Sequence, residues 1–238
     1  MKNIVFTMDI DLAGEGRYAS TRRLPYQYSI KSWEKWCEKN DCKLFVLNDL
    51  ILEKEKMAIC WQIYYLFDIL DANEIEYDQV LMVDADTIVH PECPNFFEMS
   101  EGKLCGAYFD GSWDWVLRSI ENYSKYAFEN YMMPWYKYFD CGFVLVNKNH
   151  KQFYQDIVSF YFTHQDNLVQ LQNTFFNGTD QTPVNMLTHL HKWVTDQEVE
   201  LTQAQLICGL LETADTQVSG LKTKKVKSSV LVTMVTMN

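Results

Sequence analysis

Gln79-Val80-Leu81-Met82-Val83-Asp84-Ala85-Asp86-Thr87-Ile88-Val89-His90-Pro91 opens as an apolar run and ends abruptly in two carboxylates spaced i, i+2. The proline that follows stops the segment from continuing as regular structure. The pattern predicts a buried strand whose carboxyl end carries the chemistry. In open α/β sheets, ligands bind beyond the carboxyl ends of the strands. Two acids there suit a hard divalent cation holding a phosphorylated ligand.

Working back toward the amino terminus, Lys56 to Ala72 predicts a helix with Ile59, Ile63, Leu66, Phe67 and Leu70 on its buried side. Lys43-Leu44-Phe45-Val46-Leu47 predicts a strand. Pro25 to Asn40 predicts a helix with Pro in its first turn and Tyr28, Trp33, Trp36 and Cys37 on an apolar stripe, the tryptophans serving as core. Asn3-Ile4-Val5-Phe6-Thr7-Met8 predicts the first strand, which also ends in acids, at Asp9 and Asp11. The polar loop between Ala13 and Arg23 matches neither a dinucleotide-binding turn nor a P-loop, but its arginines, Arg17 among them, suit a diphosphate. Strand, helix, strand, helix, strand is the order of a parallel α/β sheet.

Toward the carboxyl terminus, Lys103 to Tyr108 predicts another strand. Trp113 to Tyr138 is dense in tryptophan and tyrosine, beyond what a core easily absorbs. Such rings suit stacking on sugar faces as well as packing. Phe139-Asp140-Cys141-Gly142-Phe143-Val144-Leu145-Val146-Asn147 predicts a strand with a polar residue and a glycine at its head, where glycine permits close approach. A helix from His150 to His164 follows. Asn177 to Asn185 then reads as a turn and a helix start, continuing to Leu190, with Asp180 a candidate cap and Asp180 and Gln181 at the helix mouth. Residues 194–238 lack aromatic residues, proline and histidine. The expected division is therefore a domain over 1–193 and a compositionally distinct tail over 194–238.

The chain has 238 residues, 47% of them apolar, which suffices for one packed core. A formal net charge of −11 argues against binding nucleic acid or an anionic membrane through bulk electrostatics. Seven cysteines without a Cys-x-x-Cys pair predict thiols in a reducing compartment. No secretory signal opens the chain, and no apolar stretch approaches the roughly 20 residues of a membrane span. A cytoplasmic location is expected.

The segments Tyr77 to Thr87, Phe139 to Asn147 and Asp180 to Asn185, in this order and spacing, resemble metal-dependent glycosyltransferases of the GT-A fold, closest to glycosyltransferase family 8 and the glycogenin-like group. The resemblance implies a single Rossmann-like α/β domain, its mostly parallel sheet flanked by helices. It implies a nucleotide-sugar donor, probably a UDP-sugar, contacted at Asp84, Ala85 and Asp86, with Mn²⁺ or Mg²⁺ on the two carboxylates. It places the nucleobase near Thr7 and Asp9, the donor sugar at Asp140, and Asp180 and Gln181 beside the anomeric carbon. It favours retention over inversion and leaves the acceptor open among sugar, lipid and protein. Relatives add a histidine ligand from a later segment. Here no histidine follows His191, so His189, His191 or no third ligand remain open.

Two other readings compete. A haloacid-dehalogenase-like phosphatase would use Asp9 and Asp11 as nucleophile and general acid, but lacks the later acid pair of that site. A catalytically impaired nucleotide or sugar binder would keep the fold without turnover.

Overall fold

The computed structural model describes residues 2–10, 23–100, 102–109, 111–175, 180–191, 204–209 and 229–237. Strand β3 (Gln79–Val83) is buried on both faces, as its unbroken apolar character requires. It lies beside β1 (Asn3–Met8), which in turn pairs with β2 (Lys43–Leu47), and both pairings are parallel. Helix α1 (Arg23–Lys39) makes the first crossover. A 3-10 helix (Ile59–Tyr65) running into α2 (Leu66–Ala72) makes the second.

The helix expected from Lys56 is therefore tighter over its first half. Residues three apart eclipse in a 3-10 helix, so Trp61 and Tyr64 fall on one side, and both are buried. The buried Gln62 side chain fixes the entry: Oε1 accepts from the Ile51 and Leu52 amides, and Nε2 donates to the Leu52 and Met57 carbonyls.

Beyond β3 the chain forms α3 (Phe96–Met99), β4 (Leu104–Tyr108), α4 (Trp113–Ala127), β5 (Phe139–Asn147), α5 (Lys151–Phe175) and α6 (Gln181–Leu190), followed by β6 (Ala204–Gly209) and β7 (Ser229–Met237). Helix α5 extends well past the expected end at His164. The described strands form one sheet in the order β2-β1-β3-β5-β4-β7-β6. The class is α/β, as expected, but parallel pairing is confined to β2-β1-β3. From β3 onward, each neighbouring pair is antiparallel. The reversal arises because β5 enters between β3 and β4, and runs against both.

Alternation of side chains divides the core between the two faces of the sheet. Ile4, Phe6, Val80, Met82, Val144 and Val146 join residues of α2, α4, α5 and α6. Val5, Leu81, Val83 and Leu145 join Trp33 and Trp36 of α1 and Phe96 and Phe97 of α3. Both tryptophans of α1 and Cys37 are core, as their spacing predicts, whereas Tyr28, expected on the same stripe, is exposed because it stands about 140° around the helix from Trp33. Two layers of helices thus hold the sheet between them and leave its carboxyl edge open for side chains.

Candidate active site

Three strands deliver polar residues to one edge of the sheet. Strands β1 and β3 are parallel and end there, at Asp9 and Asp84. Strand β5 is antiparallel and begins there, so the head of the strand, Asp140-Cys141-Gly142, meets the end of β3: the Asp84 amide donates to the Gly142 carbonyl at 2.9 Å. The Gly142 amide donates to Asp140 Oδ1 at 2.9 Å. A Cβ on Gly142 would come within 2.5 Å of Asp84 Oδ2 and 3.3 Å of Asp140 Oδ1. Glycine at this position is what lets the two carboxylates approach the same stretch of backbone.

The Asp84-Ala85-Asp86-Thr87 segment is a turn. The Thr87 amide and hydroxyl both donate to the Asp84 carbonyl, at 3.1 and 2.7 Å. Trp33 Nε1 donates to Thr87 Oγ1 at 3.1 Å, and Ser32 Oγ accepts the Val89 amide at 3.1 Å. Helix α1 therefore braces the turn from below, while Ala85 is buried and the Asp86 side chain is exposed.

Helix α6 brings the remaining polar residues. Asp180 stands in the N-cap position but makes no side-chain cap. Its Oδ2 instead accepts from the buried Tyr64 hydroxyl at 2.7 Å. The capping explanation of Asp180 is thereby replaced by a bond across the core. Asn185, fully buried one turn into α6, accepts the Phe139 amide at 2.8 Å and donates to the Phe139 carbonyl at 2.9 Å and the Gln181 carbonyl at 2.8 Å. That single amide joins the start of β5 to the start of α6, setting Asp140 against Asp180 and Gln181. The Gln181 side chain hydrogen-bonds the Tyr138 phenol.

The electrostatics follow from this crowding. Solvent reaches the Asp84 side chain, yet protein encloses enough of it that desolvation, reinforced by Asp180, Asp86 and Asp140, pushes its carboxyl up to about 7. Burial and the negative field of Asp180 likewise push the Tyr64 hydroxyl and the Cys141 thiol well up. The edge is a pocket of negative potential that favours a bound cation.

No protein-family model matches the chain. No curated protein matches it either. Among solved structures, one that is similar is a glycosyltransferase involved in the glycosylation of the major capsid of PBCV-1, at 11% identity and a TM-score of 0.46, covering 68% of this chain and 67% of that chain. Neither residues nor reaction carry over at that distance, so function rests on the site itself.

At the end of β1, Thr7 Oγ1 and Asp9 Oδ1 are buried and, among the described residues, meet no hydrogen-bond partner. Orphaned polar atoms at the ligand edge of a sheet are groups that a bound molecule satisfies. Arg17 and Asp11 lie outside the described residues. The two candidate histidine ligands stand elsewhere. His189 lies roughly 12 Å along the helix from Gln181. Burial and the charge of Lys137 hold its imidazole down to about 4. His191 faces α5, with Nδ1 3.8 Å from Asp156 Oδ2 and its ring 5.4 Å from Phe153. Among the described residues, no three His, Cys, Asp or Glu side chains converge tightly enough to enclose a metal by themselves. The donor set is nonetheless all carboxylate oxygen, the chemistry of a hard cation.

Tyr64, Asn185 and Trp33 were missed as site residues by sequence reasoning. An amide inside the apolar run Pro183-Val184-Asn185-Met186-Leu187 was a usable signal for Asn185. Nothing in the local sequence marked Tyr64, whose partner is 116 residues away.

Proposed function

We propose that the protein is a GT-A glycosyltransferase of the family 8 and glycogenin-like kind, transferring a sugar from a UDP-sugar to an acceptor hydroxyl with Mn²⁺ or Mg²⁺. The observation that carries this reading is the gathering of Asp84, Asp86, Asp140 and Asp180 at the carboxyl edge of β3, close enough to raise the Asp84 carboxyl. Four acids in one recess repel a diphosphate unless a cation intervenes. Asp84 and Asp86 would hold it, and the bound metal would act as a Lewis acid toward the departing diphosphate. Thr7 and Asp9 would receive the base through their unmet polar atoms. Asp140, Asp180 and Gln181 would orient the donor sugar, their carboxylates favouring positive charge at its anomeric carbon. Retention of configuration belongs to the same reading.

Every residue named falls within 1–193, so the activity is assigned to that domain and the tail is set apart from the chemistry. Among the described residues, no helix is long and apolar enough to cross a membrane. A cytoplasmic setting is proposed because, among the described residues, Cys37, Cys42 and Cys141 are free thiols, as a reducing compartment keeps them.

The test is calorimetric titration of UDP with and without Mn²⁺, on the wild type and on Asp84→Asn, followed by measurement of UDP release from UDP-sugars. Metal-dependent binding that the variant loses is expected; UDP binding indifferent to both metal and variant would refute the proposal. Because, among the described residues, no third side-chain ligand converges on the carboxylates, donor binding without turnover is the second reading. UDP binding without UDP release in the presence of acceptors would select it.

A further inference from the structure

Strand β4 ends and β5 begins at the edge that carries the carboxylates, with Tyr108 paired to Phe139 and Ala107 to Asp140. The connection between them, which holds the aromatic-rich segment, therefore starts and finishes beside the site. Its rings divide into two sets. Tyr123 and Tyr138 are fully buried and belong to the core. Trp135 is 45% and Tyr136 53% exposed. The half-buried Trp113 meets Trp135 edge-on, at 5.1 Å between ring centres and an interplanar angle of 74°, and rests against Tyr108 at 5.6 Å. Trp135 and Tyr136 stand nearly perpendicular, at 5.9 Å and 87°.

These outer rings are held in fixed register with the acids. The Tyr138 hydroxyl is 2.6 Å from Thr182 Oγ1, which is 2.8 Å from Ser119 Oγ of α4. Tyr138 lies two residues before Asp140, Thr182 two residues after Asp180, and Ser119 on the helix that Trp113 opens. One buried hydroxyl relay therefore locks the aromatic cluster, β5 and α6 together. Folding gains little from two large rings left in water, so rigid support and exposure together indicate a ligand.

We propose that Trp113, Trp135 and Tyr136 form a platform for the saccharide that accepts the transferred sugar. The inference rests on the glycosyl-transfer reading of the neighbouring site. Each exposed ring combines an apolar face, suited to the C–H face of a pyranose, with a polar tip for its hydroxyls. A lipid acceptor would call for a continuous aliphatic surface rather than three rings with polar edges. The negative charge of the recess and of the chain as a whole disfavours an acidic acceptor.

The experiment is saturation-transfer NMR on the full chain with maltose, cellobiose, lactose and chitobiose, combined with Mn²⁺-dependent UDP binding on the same samples. At least one disaccharide is expected to bind. Trp135→Ala and Tyr136→Ala should each weaken that binding, the former by about tenfold or more, while UDP binding stays at wild-type strength. Absence of binding by all four sugars, or equal binding by both variants and wild type, overturns the platform. So does a dimer in sedimentation that Trp135→Ala dissociates, because the rings would then be a self-contact. Disaccharide binding through Trp135 in a protein that binds no UDP keeps the platform and refutes the transfer reading alone.

Discussion

The Tyr64 hydroxyl donates to Asp180 Oδ2 at 2.7 Å, linking a 3-10 helix that leads into β3 with the first residue of the α6 mouth. The phenol is buried and pushed far from ionising, partly by the carboxylate it serves, so it stays a donor at every physiological pH. Its effect is to fix one oxygen of Asp180 and leave the orientation of the other determined. Tyr64→Phe is expected to lower sugar transfer by at least about tenfold while costing only about 1 kcal/mol of stability, the ordinary loss for one hydrogen bond. Parallel UDP-release assays and thermal melts check this. A melting loss beyond about 5 °C would make the role mainly structural.

Gly142→Ala tests the closeness of the carboxylates. The new Cβ would meet Asp84 Oδ2 at 2.5 Å, a contact that forces the acid to turn away. Metal-dependent UDP binding is expected to weaken by about tenfold or more, with a native circular-dichroism spectrum retained. Calorimetry on the variant gives the answer, and unchanged affinity would show that Asp84 has room to move.

Asn185→Ala removes four hydrogen bonds at once, a long one to Cys141 Sγ among them, and leaves the Phe139 amide and carbonyl buried without their partner. A destabilisation of about 2–4 kcal/mol is expected in urea unfolding. Because the same amide sets β5 against α6, the residual folded protein should also bind UDP more weakly than the wild type.

Asp84 makes the metal-free protein sensitive to pH. Its carboxyl titrates near 3.8 when unperturbed and at about 7 in the fold. Between those values the native state keeps a proton that the unfolded chain releases. The contribution to stability is therefore full at the acid end and is lost as pH rises through about 7. Asp84→Asn is expected to raise the melting temperature at pH 8 by about 2–4 °C, corresponding to roughly 1 kcal/mol after solvent screening of this accessible group, and to leave it unchanged near pH 4. Melts across that range in the presence of chelator check the sign. A variant that melts lower at pH 8 would contradict it.

Local pattern alone was enough for β1, β2, β3, β5 and for Trp33, Trp36 and Cys37 of α1, though not for Tyr28, because burial on both faces or on one helical stripe writes itself into the order of apolar residues. It was enough, too, for the position of Asp84 and Asp86 at a strand end. The first half of the Lys56 to Ala72 segment was misjudged because 3-10 and α windings share the same apolar positions over so short a run. Periodicity has no term for Tyr64 meeting Asp180 or for Asn185 bridging Phe139 and Gln181.

What the sequence by itself determined is that an acid pair closes a buried strand and that a glycine-containing strand head and a polar helix mouth follow it. Only the tertiary structure decided that these meet. Asp140 and Gly142 reach Asp84 because β5 runs antiparallel to β3, so that the beginning of one strand faces the end of the other. Strand direction is set by how the intervening helices cover the two faces of the sheet, and that is a property of the packed whole, which no local run of residues encodes.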